Sequence, residues 1–316
     1  MAMPLVETKN LKKYFKTGAG MLHAVEDVNL KIMPGKTLGV VGESGCGKST
    51  LGRTILRLQP ATAGEVLYNG ENILKYKGKD MQKIHLNMQM VFQDPYSSLD
   101  PRMSVHNLIA EPVQVCGLLK TKAEINEHVR EIMDMCGLPA DQANLFPHEL
   151  DGGLRQWVGL ARAMAVSPKF IVCDEPVSAL DVSIQAQILN LLMDLQEQRE
   201  LSYMFITHDL CVVKHISDEI MVMYMGQVVE HAKTAELFAN PVHPYTKALL
   251  HAVPTIDLSK RNREGFMLRG EVTSPINPAP GCRFAPRCPY ATDKCKENVC
   301  LKEVSPDHFV ACSLCD

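Results

Sequence analysis

One octapeptide constrains this chain more than any other feature of its 316 residues: Gly42-Glu43-Ser44-Gly45-Cys46-Gly47-Lys48-Ser49, the spacing G-x-x-x-x-G-K-[ST]. Its glycines let backbone N–H groups close around phosphate oxygens, where a Cβ would obstruct them. Ahead of it, Thr37-Leu38-Gly39-Val40-Val41 is a short apolar run that reads as a buried strand. Behind it, Leu51, Ile55 and Leu58 recur at i, i+4 and i+7, the spacing of a helix. In this setting Lys48 reaches the β- and γ-phosphates and the Ser49 hydroxyl faces Mg²⁺, with Ser44, Cys46 and Thr50 completing the nucleotide loop. The helix adds its positive N-terminal end. Cys46 reads as a tolerated small residue, not a nucleophile.

A second apolar run, Phe170-Ile171-Val172-Cys173, ends in Asp174-Glu175-Pro176. A carboxylate at such a strand end can hold the Mg²⁺ shell, and the next can orient or deprotonate a water. Asp174 takes the first role and Glu175 the second. A third run, Met204-Phe205-Ile206-Thr207, leads straight into His208, which is placed to contact a γ-phosphate. Ile184, Ile188, Leu191, Leu192 and Leu195 mark a helix between these runs, and residues 102–165 read mainly helical. Strands alternating with helices predict a parallel sheet covered on both faces.

Composition narrows the partners. Charge is 33 − 36 = −3, which gives no support to broad nucleic-acid binding. No run approaches the roughly 18 apolar residues of a spanning helix, and Met1-Ala2-Met3-Pro4-Leu5-Val6-Glu7 lacks the regions of a signal peptide. From Pro241 prolines crowd the chain (Pro254, Pro275, Pro278, Pro280, Pro286 and Pro289) and periodicity fades. Six of the eleven cysteines fall in the last 35 residues. In a reducing compartment such a cluster points to metal before disulfides.

Motif order then identifies a resemblance. Val40–Thr50 resembles the Walker A of ABC transporter ATP-binding subunits of the oligopeptide/dipeptide permease family. Val91-Phe92-Gln93-Asp94-Pro95 resembles their Q-loop, Asp174-Glu175-Pro176 the Walker B, Ser178-Ala179-Leu180-Asp181 the D-loop and Thr207-His208-Asp209 the H-loop. His243-Pro244-Tyr245-Thr246 and Gly281–Pro289 resemble the C-terminal region special to peptide permeases. The match runs from about residue 5 to 312. It implies an α/β fold: a P-loop RecA-like core, an ABC helical subdomain at about 102–165, an antiparallel β portion and an irregular cysteine-rich extension. The implied domains are 1–250 and 251–316. It implies Gln93 as a Mg²⁺ and water contact, Glu175, His208 and Gln93 as catalytic, and Tyr14 as the adenine-stacking aromatic, with Phe15 a competitor.

The family signature Leu-Ser-Gly-Gly-Gln here reads Leu150-Asp151-Gly152-Gly153-Leu154. In ABC dimers the signature, with the D-loop aspartate (here Asp181), faces the Walker A of the other chain. Two like charges at 4 Å repel by about 4 kcal/mol at an effective dielectric near 20. Asp151 therefore predicts one damaged ATP site, and a heterodimer with a second ABC ATPase that carries an intact signature.

The tail spacing Cys282-x5-Cys288-x6-Cys295-x4-Cys300-x11-Cys312-x2-Cys315 leaves iron–sulfur, zinc and free or bridged thiols open on its own. The resemblance implies Cys282, Cys288, Cys295 and Cys312 as ligands of a [4Fe-4S] cluster, a staple for a tail with little core. The expected function is an ATPase, using ATP and Mg²⁺, that drives uptake of peptides or related solutes. It would sit peripherally on the cytoplasmic face of the membrane with two permease subunits, and indirectly serve a solute-binding protein. A regulatory subunit of low turnover and a soluble ABC ATPase unlinked to transport are the competing readings.

Overall fold

The computed structural model describes residues 3–178, 180–253, 275–297 and 299–315. Met1, Ala2, Ala179 of the D-loop, and 254–274 (with Pro254) of the expected second domain lie outside them. The chain divides into two compact units: Met1–Ile32, Thr37–Leu74 and Phe205–Asp316 form one, Met33–Lys36 and Lys75–Met204 the other.

In the first unit an antiparallel sheet has the strand order Gly20–Ile32, Val6–Thr17, Ala63–Tyr68, Glu71–Asn72. Val6, Leu11, Val25 and Val28 are fully buried on it. Larger still is a sheet ordered Lys302–Ser305, His308–Val310, Gln227–Lys233, Glu219–Tyr224, Thr37–Val41. Among these five strands only the last pair is parallel, registering Leu38 on Glu219 through Val41 on Val222. The expected parallel sheet is thus extended by antiparallel strands, which local periodicity does not distinguish. All five residues of Thr37–Val41 are buried, as an apolar run covered on both faces requires.

The tail is tied to this unit by non-local contacts. Phe284 is 1% exposed and packs edge-on against Tyr224 in a core cluster with Tyr245, Val41 and Val222. Arg283 pairs with Glu26 at 3.1 Å, both side chains largely buried. His308 pairs with Glu230 at 2.8 Å with exposures of 1% and 0%. Glu230 also accepts the backbone N–H groups of Val242 and His243, so its carboxylate is satisfied where water cannot reach.

In the second unit Met88–Val91 pairs parallel with Phe170–Asp174, whose five residues are all buried. Helices span Val105–Val115, Lys122–Met135 and Gly152–Met164, inside the stretch read as helical. Thr121 and Glu124 form a capping box that starts the second of these. The helix Val182–Arg199 buries Ile188, Leu192 and Leu195, and also Leu189, while Ile184 and Leu191 are half-buried. The strand expected at Met204–Thr207 runs instead over Ser202–Ile206, entirely buried. It starts two residues early because Ser202 is drawn in, its hydroxyl accepting the Gly35 N–H at 2.8 Å.

Candidate functional site

The phosphate loop joins the strand Thr37–Val41 to the helix Lys48–Ile55. Gly42 has φ 151°, and a Cβ there would fall 2.2 Å from the Met223 carbonyl oxygen. Gly47 has φ 106°, and a Cβ there would fall 2.0 Å from the Ala24 carbonyl oxygen. Both positions therefore exclude other residues by backbone collision as well as by dihedral. Gly47 also occupies the N-cap, so no side chain caps the helix and its first turn is presented to an anion. Lys48 is 4% exposed, its Nζ donating to the carbonyls of Gly42 (2.7 Å) and Glu43 (3.0 Å). The lysine is folded back onto its own loop, held by two backbone oxygens. Ser44 and Gly45 are exposed at the rim; Ser49 and Thr50 are half-buried. Cys46 is buried, which raises its thiol and fits a packing role. A loop of this shape with a buried lysine and an uncapped helix fits a nucleotide triphosphate.

Tyr14 and Phe15 stand in the strand Val6–Thr17. Tyr14 stacks on His23, its cross-strand partner, with ring centres 4.0 Å apart and planes at 19°. Its hydroxyl and the His23 ring both bond Glu26. Burial opposes the Glu26 charge, but hydrogen bonds from Tyr14, His23 and Lys12 outweigh it and hold the carboxyl down at about 2. Burial, reinforced by Glu26, pushes the Tyr14 phenol up to about 12. Phe15 is instead covered by the Lys13 ammonium at 4.6 Å. Sequence reasoning passed over Glu26, because a lone acid on a strand gives no periodic signal. His208 is exposed just past the buried Thr207, whose hydroxyl accepts the Asp209 N–H.

In the second unit Asp174 is fully buried at its strand end, and Glu175 follows with φ 47°. That left-handed conformation is strained for a residue with a Cβ. Gln93 Nε2 donates to Glu175 Oε2 at 2.9 Å, which brings the Q-loop and Walker B side chains together. Asp151 caps the helix Gly152–Met164, its Oδ1 accepting the Leu154 N–H at 2.8 Å. Gly153 lies where a Cβ would press on Ile184 at 3.0 Å, and Gly152 is exposed. Asp181 caps the helix Val182–Arg199 through the Ile184 N–H at 3.0 Å.

The iron–sulfur assignment is overturned. Among the described residues no group of three or more His, Cys, Asp or Glu side chains is placed to hold a metal ion. Cys282, Cys288, Cys295 and Cys312 are free cysteines near enough to interact electrostatically, not a ligand shell. Cys295 Sγ is engaged with Ser313 Oγ at 3.2 Å. The tail is fastened by its ion pairs and by Phe284 instead.

Among the described residues no helix is long and apolar enough to cross a membrane. Residues 25–178 match the ABC transporter family, and residues 229–295 match the oligopeptide/dipeptide transporter C-terminal region. The oligopeptide transport ATP-binding protein AppF of Bacillus subtilis is 47% identical over 98% of this chain and 97% of its own length. The B. subtilis OppF, also an oligopeptide transport ATP-binding protein, is 48% identical over 99% and 97%. A putative peptide import ATP-binding protein of Brucella ovis is 45% identical over 98% and 97%. The ATP-binding cassette MJ0796, solved as a dimer after hydrolysis with ADP and phosphate bound, superposes with TM-score 0.67 at 30% identity, over 72% of this chain and 98% of that one. An ABC ATPase fold, a phosphate loop with its lysine in place and relatives matched end to end lead to one assignment: this chain belongs to the ABC transporter ATP-binding proteins of the oligopeptide/dipeptide permease family.

Proposed function

We propose that this chain is the ATP-hydrolysing subunit of a peptide importer. One observation carries the reading: a phosphate loop with a buried, backbone-held Lys48 sits in a chain whose residues 229–295 match the oligopeptide/dipeptide transporter region. That second match favours transport over a soluble ABC ATPase. Lys48 and the loop bind the triphosphate, and Ser49, Gln93 and Asp174 hold Mg²⁺. Glu175 orients and deprotonates the attacking water, His208 contacts the γ-phosphate, and Tyr14 stacks on the base. ATP and Mg²⁺ supply the energy-yielding phosphoryl chemistry. The subunit docks peripherally on two membrane permeases at the cytoplasmic face and serves a solute-binding protein.

The working ATPase pair is a heterodimer. Asp151 supports this, because its carboxylate is committed to a helix cap and so is held where a serine would cap. A charge fixed there, in the part of the chain that faces a partner's triphosphate, weakens that partner's site. The site built on this chain's Lys48 is completed by an intact signature from the other ATPase. The test is turnover of the purified subunit alone, with the partner ATPase, and in the assembled transporter. Low activity alone and high activity with the partner are expected; full activity alone overturns the heterodimer. Peptide-stimulated turnover in the assembled transporter is expected, and its absence overturns the peptide importer.

A further inference from the structure

Glu43, inside the phosphate loop, has each of its polar groups held. Its N–H donates to the Tyr245 hydroxyl at 2.8 Å. Its carbonyl accepts Lys48 Nζ at 3.0 Å and the Cys46 N–H at 3.2 Å. Its carboxylate meets the Arg287 guanidinium in a fork, Nη1 to Oε2 at 2.8 Å and Nη2 to Oε1 at 3.1 Å. Arg287 comes from the short turn Ala285–Arg287 in the tail, 244 positions away, and its side chain is 7% exposed. Its guanidinium also reaches the Tyr224 hydroxyl at 3.4 Å and lies 5.9 Å over that ring. Tyr224, Tyr245 and Phe284 form one aromatic cluster, so both arms of this clamp rise from a rigid base.

The chemistry of nucleotide binding gives this clamp a task. Lys48 must leave the carbonyls of Gly42 and Glu43 to engage phosphate. The loop then loses the lysine as its internal tie. Arg287 and Tyr245 still hold Glu43 from outside, and so keep the cradle shaped while its lysine turns to the ligand. We infer that Arg287, seconded by Tyr245, is a positioning residue for ATP: the tail sets the affinity of the phosphate loop by gripping Glu43. A fork of two parallel charge-assisted bonds has the directionality such a grip needs.

The inference rests on Lys48 being the phosphate ligand. The test uses the full chain, with nucleotide affinity read by displacement of a fluorescent ATP analogue, and the assembled transporter for turnover. Arg287→Met is expected to raise KM and Kd for ATP about tenfold, equivalent to about 1.4 kcal/mol, with kcat changed less than about twofold. Arg287→Lys, a point charge without the fork, recovers part of the loss. Glu43→Gln matches Arg287→Met, and the double variant is no worse than either single one. Tyr245→Phe removes one hydroxyl and carries the test if Arg287→Met fails to fold; it is expected to raise Kd about threefold. Wild-type affinity in a folded Arg287→Met or in Tyr245→Phe, or fully additive losses for Arg287 and Glu43, overturns the inference. Lys48→Ala separates the two readings. If it binds ATP normally, the assignment of the loop fails; if it loses binding while Arg287→Met and Tyr245→Phe keep it, only the clamp fails.

Discussion

Gln93 Nε2 stands 2.9 Å from Glu175 Oε2, two side chains 82 positions apart in sequence joined by one hydrogen bond. The amide donor orients the carboxylate, while φ 47° at Glu175 fixes where the side chain starts. Glu175→Gln in the assembled transporter is expected to lower kcat by about 10²–10⁴ with little change in KM for ATP. Steady-state turnover against ATP concentration checks this. A loss confined to KM would move Glu175 from chemistry to binding.

Asp151 offers a substitution that separates capping from charge. Asp151→Ala removes the acceptor for the Leu154 N–H and is expected to cost about 1 kcal/mol in denaturant unfolding. Asp151→Ser keeps a cap and is expected to leave stability within about 0.5 kcal/mol. In the heterodimer the serine variant is expected to raise nucleotide occupancy on the partner ATPase. Unchanged occupancy would mean that the carboxylate is harmless there.

His308 and Glu230 test the tail's attachment. Removing the imidazole by His308→Ala leaves the fully buried Glu230 with backbone donors alone. Breaking a buried pair from one side costs about 3–5 kcal/mol. Chemical denaturation of the full chain is expected to show a loss in that range, and iron or zinc chelators are expected to leave the wild-type transition in place.

Acid titration probes Glu26. Its folded-state carboxyl lies at about 2 against an ordinary 4.5. The unfolded chain binds its proton first, so the pairing stabilises the fold above pH 4.5 and that stability is lost as pH falls toward 2. Glu26→Gln is expected to flatten the dependence of unfolding free energy on pH within this window and to lower stability at neutral pH. An unchanged slope between pH 4.5 and 2 would show that Glu26 is not paired in solution.

What the sequence made legible follows the range of the interactions. The loop Gly42–Ser49 could be read because its spacing is set by local backbone needs, and those needs recur in φ 151° at Gly42 and φ 106° at Gly47. Buried strands at Thr37–Val41 and Phe170–Asp174 announced themselves as apolar runs. The pairs Arg283–Glu26, Arg287–Glu43 and His308–Glu230 join residues 257, 244 and 78 positions apart, and a single charge carries no periodicity that marks its partner. The tail cysteines misled for the complementary reason. Their density in sequence is high, but ligation depends on where the sulfurs stand in the fold, and among the described residues no three such side chains are placed together to hold a metal.

The clamp on Glu43 has a consequence for synthesis. Translation adds roughly 5–20 residues per second, so the 244 positions between Glu43 and Arg287 take roughly 10–50 s to make. Through that interval the growing chain already holds its complete phosphate loop, yet without the arginine that grips it. A nascent or truncated subunit therefore lacks the grip that tunes its hold on ATP, and that grip arrives only once the tail has been made and folded back.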